Sequence, residues 1–191
     1  MNWEQYFKID TEGFIDGNSD EHHHRYEPTP YPILEKLLDS GYLNHCHTFI
    51  DIGCGKGRVP IFFAYTLGIQ SIGIDYDETL IEYANKMLDQ TKVKHHVSFM
   101  HIKAEDYHFI KEDAIFFFNP FSTTIFQSVL SHIIQSYYEY PRCIRLFFYY
   151  MDDDMLAYMM SQNEFIFMDE IDCEDIFQDD ERERIMIFES I

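Results

Sequence analysis

The stretch Phe49-Ile50-Asp51-Ile52-Gly53-Cys54-Gly55-Lys56-Gly57-Arg58 reads as an apolar strand that carries an acid and runs into a loop of three alternating glycines. Glycine has no Cβ, so such a loop can take positive φ angles and bring its backbone N–H groups close to a ligand. The spacing is G-x-G-x-G, not the dinucleotide fingerprint G-x-G-x-x-G, and the loop lacks the Lys-Ser/Thr ending of a P-loop. Asp51 separates the options further. A carboxylate at the mouth of the loop repels a pyrophosphate, whereas it accepts hydrogen bonds from an ammonium or hydroxyl group and suits a cationic ligand.

A helix and a second strand, Gln70 to Ile74, follow the loop, and the strand ends in Asp75, 24 positions after Asp51. An acid about 20 residues beyond the glycine loop binds ribose hydroxyls in units of this kind. On these residues the chain resembles the class I S-adenosylmethionine-dependent methyltransferases, whose first motif is an acid followed by G-x-G-x-G at the end of the first strand.

The remaining pattern alternates strand and helix in the way that builds a parallel sheet covered on both faces. Strands are expected at His47–Asp51, Gln70–Ile74, Val97–Ile102, Ala114–Phe118 and Cys143–Tyr150, with helices at about 57–67, 77–88, 122–138 and 152–161. Asp77 and Ser122 are the expected N-caps of two of these helices. In the last helix Met155, Leu156, Met159 and Met160 are expected to face inward. Two strands then follow with no helix between them, Phe165–Ile171 and Arg184–Phe188, which makes a terminal hairpin. The resemblance covers about Thr48 to Phe188 and implies an α/β, three-layer Rossmann-like fold. Its mostly parallel seven-stranded sheet would have the order 3-2-1-4-5-7-6 and an antiparallel last strand. The chain is expected to form one domain over residues 1–191, with an N-terminal arm and helix to residue 46 and a core from 47.

Upstream, Tyr26-Glu27-Pro28-Thr29-Pro30-Tyr31-Pro32 reads as a stiff extended segment, because each proline fixes its own φ and biases its predecessor away from helix. It serves either as a linker or as a lid over the ligand, and it is similar to the cofactor-covering segment of some protein-lysine methyltransferases.

Composition narrows the partners. Acidic residues outnumber basic ones 34 to 14, a formal net charge of −20 that repels phosphate backbones at long range. A nucleic-acid substrate is disfavoured on that ground, and the one compact basic group, Lys86, Lys92, Lys94 and Lys103, reads as a solvated face. The four cysteines form no C-x-x-C pair and the chain starts without a basic, apolar leader, which fits a reducing cytosol. No apolar run is long enough to cross a bilayer. His22-His23-His24 lacks the helical spacing of a zinc site and reads as a solvated loop, and His95, His96 and His101 as surface or edge residues, so no metal is expected.

The resemblance also assigns the site. It implies S-adenosylmethionine as cofactor, with Asp51 and the loop Gly53, Cys54, Gly55 and Gly57 facing its methionine portion. Asp75 would take the ribose hydroxyls and Tyr76 the adenine edge. An acid after the third strand, Asp106 in preference to Glu105, would accept the adenine amino group. Phe118-Asn119-Pro120-Phe121 resembles the N-P-P-Y/F motif of amino-directed methyltransferases with one proline missing, which makes Asn119 a cofactor contact or the residue that orients the acceptor. In-line transfer from a sulfonium needs alignment and exclusion of water more than a strong base; if a base is used, Glu27, Tyr31 and Tyr149 are candidates by position. The reading is a methyltransferase acting on nitrogen or oxygen of a small molecule or protein side chain. Its rivals are a nucleic-acid methyltransferase, a non-catalytic cofactor-binding scaffold and an NAD-dependent dehydrogenase.

Overall fold

The computed structural model describes residues 1–13, 27–177 and 180–191. In chain order the elements are α1 (Trp3–Phe7), α2 (Tyr31–Asp39), β1 (Thr48–Ile52), α3 (Arg58–Leu67), β2 (Gln70–Asp75), α4 (Glu78–Leu88), β3 (Val97–His101), β4 (Ala114–Phe118), α5 (Thr123–Glu139), β5 (Arg145–Tyr149), α6 (Asp153–Met160), β6 (Phe165–Asp172) and β7 (Arg184–Ser190). A single 3-10 turn, Ala104–Asp106, follows β3. The seven strands form one sheet in the order β3-β2-β1-β4-β5-β7-β6. The first five are parallel, and β7 runs antiparallel to both of its neighbours.

Strand alternation explains why the sheet is covered on both sides. Phe49, Ala114, Phe116, Phe147, Tyr149, Ile185 and Ile187 face one core, which is completed by α2, α3 and α4. Ile50, Ile52, Ile115, Phe117, Leu146, Phe148, Met186 and Phe188 face the other, against α5 and α6. Each fully buried Phe or Ile contributes roughly 1.5–3 kcal/mol by burial, so one register slip would exchange both cores at once. The rings of Phe117 and Phe148 stack across the β4–β5 pair with centroids 4.8 Å apart.

Several local expectations are corrected. The stiff segment is shorter than its prolines suggest, because α2 already begins at Tyr31 and takes Pro32 into its first turn, where a missing N–H costs nothing. Pro30 remains extended and Tyr26 lies outside the described residues, as do His22, His23 and His24. Strand β5 starts at Arg145, leaving Cys143 exposed, and ends before Tyr150, which adopts a left-handed φ of 58°. Ser122 sits at the N-cap of α5 without a capping bond, whereas Asp77 caps α4 through the amides of Thr79 and Leu80. On α6, Met155 and Met159 are buried and Met160 is exposed, since the helix buries one stripe and not its whole circumference. Among the described residues no helix is long and apolar enough to cross a membrane, and no cluster of His, Cys, Asp and Glu could hold a metal ion.

Candidate functional site

Five parallel strands end at one edge of the sheet, and a cavity of about 310 Å³ lies across that edge. Asp51 and Gly53 reach it from β1, Asp75, Tyr76 and Asp77 from β2, and Ala104 and Glu105 from the turn after β3. Phe118, Asn119, Pro120 and Phe121 come from β4, and Tyr150 from the end of β5. Open parallel sheets bind ligands at this edge because the loops diverge there.

The glycine loop is built by β2. The amides of Gly53 and Cys54 both donate to the carbonyl of Ile74 at 2.9 Å, that of Gly55 donates to Asp75 Oδ2 at 2.9 Å, and that of Gly57 donates to Cys54 O. These N–H groups therefore serve the loop's own fold, which corrects the expectation that they cradle a ligand. The glycines are needed for close approach: a Cβ on Gly53, at φ 81°, would stand 2.8 Å from Pro120 Cβ, and one on Gly57 would stand 2.3 Å from Phe99 Cζ. Gly53 and Cys54 line the cavity, whereas Gly55 and Gly57 do not.

Asp51 is 3% exposed on the cavity wall, and among the described residues its side chain has no hydrogen-bond partner. Burial, and next the charge of Asp75, hold its carboxyl well above the usual carboxylate range. A cationic group in the cavity would favour its ionised form. Asp75 is oriented by two amides, Gly55 N on Oδ2 and Asp77 N on Oδ1, both at 2.9 Å. Of the two acids after β3 the cavity takes Glu105, whose Oε2 is buried without a hydrogen bond, and not Asp106, which corrects the preference drawn from sequence. Apolar groups of Leu80, Ile102 and Ala104 lie on the same wall.

At the other end stands Asn119, with φ at 37° and its Oδ1 buried and without a partner. A left-handed non-glycine residue costs on the order of 1 kcal/mol and collects at functional sites. Two of the three base candidates are removed from that role. Tyr31 donates its hydroxyl to Glu4 Oε1 at 2.7 Å and Tyr149 donates to Glu183, and burial, aided by those carboxylates, pushes both phenols far upward. Glu27 does line the cavity.

Among the lining residues, Arg58 and Tyr150 had no role assigned from sequence. Arg58, the first residue of α3, is 5% exposed; its Nε donates to Thr11 Oγ1 at 2.7 Å and its Nη1 to Thr29 O at 3.0 Å. Its Nη2 lies 3.4 Å from Glu4 Oε1, and its guanidinium lies 4.5 Å from the Tyr31 ring centre. The arginine thus ties α1 and the segment before α2 to the glycine loop. The signal for Tyr150 was its place just past the apolar run of β5.

Residues 49–139 match the family model described as a methyltransferase domain. No curated protein matches the chain. Among solved structures, an RNA methyltransferase from Salinibacter ruber in complex with S-adenosyl-L-homocysteine is similar at a TM-score of 0.65 and 17% identity, over 86% of this chain and 92% of that one. A human methyltransferase 10 domain-containing protein is similar at 0.63 and 14% identity, over 98% and 91%. Magnesium protoporphyrin IX methyltransferase from Synechocystis PCC 6803, with S-adenosylmethionine bound, is similar at 0.58 and 17% identity, over 84% and 76%. Over residues 49–139 the chain is similar to a methyltransferase domain, and its sheet has the strand order of the class I methyltransferase fold.

Proposed function

We propose that the cavity binds S-adenosylmethionine and that the enzyme methylates a nitrogen atom of a small molecule or a protein side chain. The observation that carries the acceptor is Asn119, a strained residue at the end of β4 whose buried carbonyl oxygen has no partner and can accept a hydrogen bond from an amine. The residues present fit the cofactor. Asp51 suits its ammonium, Asp75 its ribose, and Glu105 with Tyr76, Leu80 and Ile102 its adenine. When bound, the cofactor supplies an electrophilic methyl group on a sulfonium.

The chain's own residues then align and enclose. Asn119 Oδ1 holds an acceptor N–H so that the nitrogen lone pair points into the cavity, while Phe118, Pro120 and Phe121 exclude water from that end. The segment Glu27 to Thr29 closes one side and acts as a lid, tied down by Arg58. The unpaired cysteines fit a cytosolic enzyme. The engaged amides of the glycine loop argue against a dinucleotide, and the acidic wall argues against a nucleic-acid acceptor.

Calorimetric titration with S-adenosylmethionine, S-adenosylhomocysteine and NAD tests the cofactor. We expect the first two to bind and NAD not to bind; tight NAD binding without response to S-adenosylmethionine overturns the proposal.

A further inference from the structure

We infer that Arg58 receives the carboxylate of the cofactor's methionine portion while Asp51 takes its ammonium, so that the glycine-loop end of the cavity recognises an α-amino acid. This deepens the reading just given and rests on it. Among the described residues, the buried side-chain atoms on the cavity wall without a hydrogen-bond partner are Arg58 Nη2, Glu105 Oε2 and Asn119 Oδ1. Glu105 and Asn119 already have a ligand group each. Arg58 Nη2 is the one donor of the three.

Nothing around Arg58 uses that nitrogen. Its Nε and Nη1 are engaged by Thr11 Oγ1 and Thr29 O. Glu4 Oε1 stands 3.4 Å from Nη2 without forming a hydrogen bond, because that carboxylate is directed elsewhere. Its Oε1 accepts from the Tyr31 hydroxyl at 2.7 Å and from Thr11 Oγ1 at 2.5 Å, and its Oε2 accepts from Thr11 N at 2.8 Å. Glu12 Oε1 is 3.9 Å away on a side chain that is 72% exposed. A terminal guanidinium nitrogen has two N–H groups, and leaving them unmet away from water is unfavourable. A ligand oxygen that accepts from them removes that penalty.

Position selects which ligand group this is. Arg58 opens α3 directly after the glycine loop, and it lines the cavity together with Val59, Gly53, Cys54 and Asp51. Gly57 at the N-cap brings no side-chain bond, so the positive end of α3 is left uncapped beside the guanidinium. An arginine at an open helix start favours an anion, whereas the buried carboxyl of Asp51 favours a cation. A ligand that answers both at one end of the cavity carries ammonium and carboxylate on the same carbon. An acidic acceptor would be the other source of an anion, but Asn119, where the acceptor is received, stands on β4 and not on the glycine loop.

The test compares S-adenosylhomocysteine with its decarboxylated analogue, S-adenosyl-3-thiopropylamine, by calorimetry on the full chain. The analogue keeps the adenosine, the sulfur and the ammonium and lacks only the carboxylate. We expect the parent to prefer S-adenosylhomocysteine about 10- to 100-fold, the scale of a hydrogen bond between charged groups. In Arg58→Met the preference should fall to about two-fold or less, and Arg58→Lys, which keeps the charge without the fork, should retain part of it. Asp51→Asn should weaken both ligands and leave the preference intact, since both carry the ammonium. Loss of a purely structural arginine weakens the two ligands alike, so an unchanged ratio in Arg58→Met overturns the inference. A parent chain that binds the two equally also overturns it, needs no variant, and leaves the cofactor reading intact. Benzoate that binds the parent saturated with S-adenosylhomocysteine, but not Arg58→Met in the same state, puts the anion on the acceptor and overturns it as well. Failure of both adenosyl ligands to bind brings down the cofactor reading itself, and the inference with it.

Discussion

The carboxylate of Asp75 accepts a hydrogen bond from the backbone amide of Gly55 at 2.9 Å, so the acid that ends β2 also sets the shape of the loop that follows β1. Its other oxygen takes the amide of Asp77, the cap of α4. One side chain therefore orients two walls of the cavity.

Replacing it should cost binding and stability together. Asp75→Ala is expected to weaken S-adenosylmethionine by roughly 1.5–3 kcal/mol, the scale of a lost hydrogen bond to a charged group, and to lower the melting temperature in the absence of ligand. Calorimetry and thermal melts check the two effects; a loss of affinity with unchanged melting would mean that Asp75 does not hold the loop.

Asp51 should show the opposite relation between stability and function. Its carboxyl is raised by burial and by Asp75, so folding favours its protonated form. The protonated carboxyl's contribution to stability is full below the unperturbed range near about 4, and it is lost as pH rises through the elevated folded value. Asp51→Asn, which cannot ionise, should then melt higher than the parent at neutral pH, with the difference shrinking toward pH 4, while binding S-adenosylmethionine less well. Ligand-free melting curves across that range decide it, and a variant that melts lower at neutral pH refutes the account.

Arg58→Met should release the arm. The substitution removes the guanidinium that donates to Thr11 Oγ1 and Thr29 O and lies 3.4 Å from Glu4, a loss on the order of 1–3 kcal/mol. Faster proteolysis within the first 30 residues is expected, with saturating cofactor no longer protecting them. Cleavage at the parent's rate would show that the arm is held by α1 packing alone.

Asn119→Gly separates backbone strain from side-chain chemistry. Glycine takes a φ of 37° freely, so the variant should melt near the parent while turnover is lost and cofactor affinity stays within about three-fold. Once an acceptor is in hand, single-turnover assays measure this. If cofactor affinity falls as far as in Asp75→Ala, Asn119 contacts the cofactor and not the acceptor.

The strand and helix succession and the glycine loop after Asp51 were legible in the sequence because apolar runs and glycine spacing are local patterns, whereas the strand order followed only from the family resemblance. Asp51, Asp75 and Asn119 could be named for the same reason: each stands where an apolar run ends. What each group does with its hydrogen bonds could not be read there. The loop amides turn to Ile74 and Asp75 because parallel pairing sets the end of β2 beside the end of β1, and no spacing rule carries that distance. Glu105 rather than Asp106 reaches the cavity because a 3-10 turn of three residues sets their directions. Arg58 becomes the clasp of the arm because Glu4, Thr11 and Thr29, far from it in sequence, converge on α3. Local burial determined which residues stand at the site; long-range pairing and packing decided which way their donors and acceptors face.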